Sequence, residues 1–432
     1  MVRAVGGLSV QNRFGTSTIE TDGALAYALE PAGGDARLSP ARRLDLLAHL
    51  ASAFDLAEEQ ASGHAARVAY LAYRVGWNLG LDAATLQRVP YVGLLHDAGL
   101  VVQRDGRHPE AAAWMAARFG LDETVQQAIR STRERFDGSG TPHGRVGTEI
   151  PIEALCVMAA HWACETADRE VNALRARSVL QQASPGRVEG LCGPHIAQSL
   201  FETLRDDETW LTLCDTDLAF TVAAFAADDE RPSYGTVESA AAAMGEVIDA
   251  AVREPGRAPR VSLLARALAE RLGLAPATCD AIAVAGHLLD IGQLGVPPEV
   301  TGKPSILTVD EMELMRRHPG AGARILERSP GLGSVATWVE QHHERPDGRG
   351  YPEMLAGEEL PLPPRILAAA DAFWALRARR PYRPAFNETE AIDLMRSGAG
   401  QQFDADVVRE LPAALQSIGC ALEEMGDRAG VA

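Results

Sequence analysis

Residues 341–352, reading Gln-His-His-Glu-Arg-Pro-Asp-Gly-Arg-Gly-Tyr-Pro, place two adjacent imidazoles, His342 and His343, beside an acid and a glycine-rich turn that can close on a substrate. Asp290, His318 and Asp371 lie in the same half of the chain. Imidazole mixed with carboxylate suits Fe, Mn, Ni or Zn rather than Ca or Mg. A second set of the same chemistry, His64, His96-Asp97 and His161, occupies the first half. A lone histidine is more often a cap or a surface residue. An adjacent pair held in register with Asp290 and His318 argues for a metal site instead.

Donors this far apart in sequence meet when they point inward from facing helices of one bundle. The spacing supplies those helices. Ser39 reads as an N-cap with Pro40 at the first helical position, ahead of Leu44, Leu47, Leu50 and Phe54 at helical intervals. Residues 63–79 read as a helix stopped by Gly80-Leu81-Asp82. Further helices lead into His96-Asp97 and run through residues 111–119, and His161 closes an apolar run over 154–163.

The second half repeats this order. Arg67-Val68 and Asp97 match Arg260-Val261 and Asp290 at an offset of 193 (290 − 97). His108-Pro109, Asp137-Gly-Ser-Gly and His161 match His318-Pro319, Asp347-Gly-Arg-Gly and Asp371 at 210 (318 − 108). The difference, 17 (210 − 193), is an insertion in the second copy over residues 293–312. The expected organisation is a partly ordered segment 1–38, a first unit 39–200, a helical connector 201–235, a second unit 236–420 and a tail 421–432. Gly348 and Gly350 are expected to serve the turn through positive φ.

At 432 residues the chain has room for two cores, and 46% hydrophobic with 5% aromatic residues fits a helix-rich protein. A formal charge of −18, with no wider basic field around Arg377-Ala-Arg-Arg, argues against a duplex nucleic-acid partner. A small anionic ligand stays compatible, because a bound metal dominates its local field. The six cysteines form no CxxC pair and no secretory segment follows Met1, so they read as reduced thiols of a cytoplasmic protein. The longest apolar runs, near 218–227, fall short of a membrane span.

Residues 236–415 resemble an HD-GYP domain of the HD phosphohydrolase superfamily, a branch associated with hydrolysis of cyclic dinucleotides such as cyclic di-GMP. The resemblance rests on Arg260-Val, Leu289-Asp-Ile-Gly-Gln-Leu-Gly, Lys303-Pro, His318-Pro-Gly-Ala-Gly, His342-His-Glu-Arg-Pro-Asp-Gly-Arg-Gly-Tyr-Pro and Arg380-Pro-Tyr-Arg. It implies an all-α fold of two tandem HD-type helical bundles. The family's His-Asp dyad, with a Lys three residues on, here reads Leu289, Asp290 and Gln293, and its earlier helical His is Arg257. What the resemblance leaves is the set around the family's second metal, Asp290, His318, His342 and His343, with Asp371 nearby. Tyr351 and Arg349 are the expected substrate contacts. The first copy shows the opposite losses: His64 and His96-Asp97 are intact, Thr132-Arg133 stands at the double-His position, Thr141 at the Tyr, and His161 replaces the late Asp. One metal on His64, His96, Asp97 and His161 is similar to the site of other HD phosphohydrolases, with His96 and Asp97 in the catalytic role. His108 has lost its partners and reads as structural.

Three functions compete. The preferred one is a degenerate tandem that holds at most one divalent transition metal per domain, binds a cyclic dinucleotide and signals to a regulatory protein partner, with Ala-rich faces such as 238–252 for docking or homodimerisation. The alternative is a metal-dependent phosphohydrolase acting on cyclic di-GMP or another nucleotide. An iron oxygenase ranks last, because each copy has lost ligands.

Overall fold

The computed structural model describes residues 38–57, 63–104, 106–225, 231–379 and 384–429. The expectations for residues 1–37, for the charged stretch at Asp228 and for Arg380-Pro-Tyr-Arg lie outside that set. Among the described residues the fold is all-α, with only isolated bridges such as Asp137 to Val146 and Asp347 to Ala356 outside the helices. No described helix is long and apolar enough to cross a membrane.

Two similar bundles account for the repeat. In the first, the helix His64–Asn78 buries Val68, Ala69, Leu71, Ala72 and Val75. In the second, Arg257–Arg271 buries Val261, Leu264, Ala265 and Leu268. Each packs on the helix that follows it, Ala83–Leu95 or Pro276–Leu288, and on a late helix, Ile152–Asp168 or Leu362–Arg377. Small residues set the crossing. A Cβ on Gly93 would fall 2.5 Å from the Ala69 Cα, and one on Gly286 would fall 2.6 Å from the Ser262 Cα, so the two backbones touch at the same place in both copies. This contact brings the dyad positions, one turn further on, against the residues at the start of the neighbouring helix.

The first helix begins at Arg43 rather than after Ser39-Pro40. Ala41 exchanges backbone hydrogen bonds with Ser233, which keeps it extended, and Asp45 accepts from the Arg42 N–H at 2.9 Å to cap the helix one turn later. The helices Asp207–Leu213 and Leu218–Ala223, within the expected connector, pack on His64–Asn78 as does Pro194–Thr203 before them, and the three complete the wall of the first bundle. Arg43–Leu50 and Ser52–Ala57 lie against the second bundle, on His318–Glu327 and on the turn Ile291–Gly295. Of the expected tail, residues 421–429 belong to the helix Gly419–Ala429. In the insertion, Pro298–Thr301 and Val309–Met315 are short helices that leave Ile306 and Val309 exposed.

Each glycine-rich loop is wound round a buried glutamate. The Glu344 carboxylate accepts from the N–H groups of Glu353, Met354 and Leu355 at 2.6, 3.0 and 3.1 Å, and its counterpart Glu134 accepts from those of His143 and Arg145. Gly348 has a φ of 71°, as expected. Gly350 serves differently: a Cβ there would lie 2.4 Å from the Glu344 Cα, so close approach rather than φ selects it. Charge-assisted hydrogen bonds contribute about 1.5–3 kcal/mol each and a buried orphan N–H costs a similar amount. Glu344→Ala is therefore expected to destabilise the second bundle by about 3 kcal/mol, read from urea unfolding. An unchanged midpoint would mean that water replaces the carboxylate without cost.

Candidate metal centres

His64 opens its helix, His96 caps the C-terminus of Ala83–Leu95 with Asp97 next to it, and His161 sits on Ile152–Asp168. The fold brings all four together, one donor atom from each lying within 4.8 Å of the others. His96 Nε2 is 2.9 Å from His161 Nδ1 and 3.2 Å from Asp97 Oδ2. The proton positions follow from the outer partners. His96 Nδ1 lies 2.7 Å from the Gly93 carbonyl, which only an N–H can face, so Nε2 turns a lone pair inward. His64 Nδ1 lies 3.3 Å from Asp168, which Arg67 holds at 2.9 and 3.0 Å. His64 Nε2 is then buried with no hydrogen-bond partner, the state of a ligand nitrogen directed at a cation. Burial lowers the His64 pKa and favours the neutral ring. Burial pushes Asp97 upward, but the imidazoles of His96, His108 and His161 prevail and hold its carboxyl well below the usual range.

Arg133 occupies a place where the family resemblance implies a metal ligand. It stands at the register position of His343 (343 − 210), with Nη2 3.5 Å from Asp97 Oδ1 and Nε 3.1 Å from His108 Nε2. A cleft of about 260 Å³ opens over the site, with Arg133, Arg135, Trp162 and Glu165 in its wall beside His96, Asp97 and His161. The shorter first copy thus retains a pocket.

In the second domain, His318, His342 and His343 form a metal-capable group of their own. His318 and His342 face each other Nε2 to Nε2 at 3.3 Å, each with Nδ1 on a carbonyl, of Met315 at 2.8 Å and of Val339 at 2.6 Å. Burial lowers His318 to about 4 and His343 to about 3, and takes His342 well below its ordinary value, so all three are neutral donors. Asp290 and Asp371 are engaged elsewhere. The Arg257 guanidinium donates from Nη1 to Asp290 and from Nη2 to Asp371, with Nε 3.2 Å from Glu254. Asp290 keeps one oxygen 3.4 Å from His318 Nε2. Leu289, at the place of His96, is 2% exposed and apolar. Tyr351 stacks on His343 with ring centroids 4.8 Å apart and carries Arg316 over its ring at 5.4 Å, whereas Arg349 is exposed on the loop.

Each domain therefore carries a guanidinium at a position where the family resemblance implies a metal ligand: Arg133 in the first, Arg257 in the second. The sequence marks both places as lost ligands; the length of the arginine side chain is what turns each loss into a fixed positive charge. Asp168, which orients His64, belongs to no motif, and only its place on the His161 helix, seven residues on, points to it.

HD-domain family descriptions match residues 62–162 and 244–407. The chain is 40% identical over 154 residues to the cyclic di-GMP phosphodiesterase response regulator RpfG of Xanthomonas campestris, covering 35% of this chain and 41% of that protein. It is 28% identical over 321 residues to the 3′3′-cGAMP-specific phosphodiesterase 3 of Vibrio cholerae, covering 70% of this chain and 65% of that one. Among solved structures, that of a cyclic GMP-AMP specific phosphodiesterase of Vibrio cholerae superposes with a TM-score of 0.64 at 22% identity, over 88% of this chain and 98% of that one, which supports the fold. The chain spans 41% of the length of each of two curated cyclic di-GMP phosphodiesterases it matches, from Xanthomonas campestris and Thermotoga maritima.

Proposed function

The chain belongs to the HD-domain family, as two HD domains of HD-GYP kinship in tandem, and from that premise we propose that it is a metal-dependent phosphodiesterase of cyclic dinucleotides whose hydrolytic centre lies in the first domain. The observation that carries this reading is the inward set of His64, His96, Asp97 and His161, with Nε2 of His64 buried and unpartnered. These four residues would hold one Fe, Mn, Ni or Zn ion. Such an ion supplies the Lewis acidity that makes water a nucleophile near neutral pH. The chain's own groups do the rest. Arg133 and Arg135 in the cleft wall meet the charge of the scissile phosphate and orient it. Glu165, held below its ordinary pKa by the His161 ring, stays ionised and is placed to receive the proton shed by the attacking water. Trp162 and Met158 offer apolar surface to a base.

The test is turnover against metal content. Protein stripped by chelation and reloaded with Mn, Fe(II) or Zn is expected to cleave bis(p-nitrophenyl) phosphate and at least one of cyclic di-GMP and 3′3′-cGAMP, in proportion to about one ion per chain. No turnover with any of the three ions would end this reading. Asp168→Asn probes the support of His64: outer-shell partners contribute about 10–100-fold in metal affinity, so a drop of that size is expected without loss of fold. An unchanged affinity would show that Asp168 does not orient the ring.

A second reading, of the second domain as a regulatory receptor, draws on one observation. Arg257 ties up Asp290 and Asp371, which leaves that domain three imidazoles and no free carboxylate in its metal-capable group.

A further inference from the structure

The two domains carry a cavity at the same place, beside the helix that opens with His64 or Arg257, and the two copies of it differ in charge. In the first domain it has a volume of about 260 Å³ and is lined by Arg67, Ala163, Cys164, Ala167 and Asp168, among apolar neighbours. There Arg67 is neutralised by Asp168. Moving each residue by the repeat offsets (193 for Arg67, 210 for the others) gives Arg260, Phe373, Trp374, Arg377 and Ala378, all of which line a cavity of about 540 Å³ in the second domain. The carboxylate that pairs with the arginine has become alanine, and an alanine has become an arginine.

The consequence is a concentration of unneutralised positive charge. Arg253, Arg260, Arg377 and Arg379 all border the cavity, and among the described residues none of the four has a carboxylate partner. Arg377 donates only to the Phe386 carbonyl, and Arg260 lies over the Trp374 ring at 5.8 Å. Of the two acids at the rim, Glu254 is drawn to Arg257 and Glu388 opens its own helix. In a chain of net charge −18, arginines elsewhere are mostly paired, as Arg365 is with Asp404 and Arg271 with Glu410. Arg253 also holds a left-handed backbone, φ 61°, at a helix C-terminus where glycine would be unstrained. The Trp374 Nε1 is buried without a hydrogen-bond partner. Four arginines converging on one hollow repel one another unless an anion lies between them.

We infer that this cavity is a metal-independent receptor site for a phosphate-bearing anion, with Arg260, Arg377, Arg379 and Arg253 as its charge contacts and Trp374 as its floor. The site is distinct from the hydrolytic centre and stands whether or not the first domain turns over substrate. In the sequence Arg377-Ala-Arg-Arg has no wider basic field around it; the fold brings Arg253 and Arg260, more than a hundred residues away, beside Arg377 and Arg379.

Tryptophan fluorescence of the full chain in EDTA tests this, with adenosine 5′-monophosphate, inorganic phosphate and adenosine as probes. A saturable change is expected with the monophosphate, absent with adenosine, absent in Trp374→Phe, and weakened about tenfold or more in Arg260→Gln and in Arg377→Ala. A response to inorganic phosphate of equal affinity would identify the free anion as the ligand, and a much tighter one for the monophosphate would identify a nucleotide. The assignment is overturned if neither probe gives a saturable response, or if the response persists undiminished in both arginine variants.

Discussion

Alanine in place of His96 is expected to remove the first domain's metal and to lower phosphodiester hydrolysis by about a thousandfold, whereas His342→Ala leaves both in place. His96 Nε2 stands at the centre of the donor group, 2.9 Å from His161 Nδ1 and 3.2 Å from Asp97 Oδ2, and its Nδ1 is pinned to the Gly93 carbonyl. No neighbouring side chain can swing in to replace it: Leu95 and Ala98 are buried apolar residues, and His108 is engaged with Arg133. A Lewis acid contributes several kcal/mol to such a reaction, and about 4 kcal/mol corresponds to a thousandfold in rate. Elemental analysis of untagged wild type, His96→Ala and His342→Ala, beside the same hydrolysis assay, decides the matter. Metal and activity lost only with His342→Ala would move the centre to the second domain. A wild type that stays empty after incubation with Fe, Mn and Zn would sink the hydrolase.

The first domain's candidate site is legible in the sequence because it keeps the residue types that metal chemistry needs, and because the offsets of 193 and 210 align each one with a partner in the other copy. His64, His96, Asp97 and His161 are brought together just as that register implies. Registers say which positions are equivalent, however, and not how far a side chain reaches. Arg257 and Arg133 read as absences in a ligand pattern, while in space each guanidinium reaches the carboxylates of that pattern, Asp290 and Asp371 in one domain and Asp97 in the other. Glu344 lies in a polar, glycine-rich loop and yet is 2% exposed, because three backbone N–H groups remote in the loop converge on it. Ser39-Pro40 carries the signal of a helix start, but a backbone pair between Ala41 and Ser233, remote in sequence, overrides that local preference.

Arg257 itself gives the largest expected effect on stability. Its guanidinium joins Asp290 and Asp371, which are 5% and 9% exposed, and its removal leaves two carboxylates facing each other out of water. Breaking a buried pair by deleting one partner costs about 3–5 kcal/mol, so Arg257→Ala is expected to unfold at clearly lower temperature. Lysine should recover only part of the loss, because a single ammonium cannot make the forked contact to two carboxylates. The same deletion uncovers a ligand set. Asp290 Oδ2 and Asp371 Oδ1 are then released toward a divalent ion where the guanidinium was, beside His318, while Asp290 Oδ1 keeps its hydrogen bond from the Gln293 amide. In a His96→Ala background, where the first domain is silent, Mn or Zn at a hundred times its dissociation constant would return about 2.7 kcal/mol to Arg257→Ala. The same ion should do far less for the variant that retains Arg257. Equal metal shifts in both, or an Arg257→Ala protein as stable as its parent, would show that the guanidinium does not stand in for an ion. If the rescue appears, the second domain has exchanged an exchangeable cation for a covalently attached one, and with it has given up a position at which water could be activated while keeping the positive charge that an anionic ligand needs.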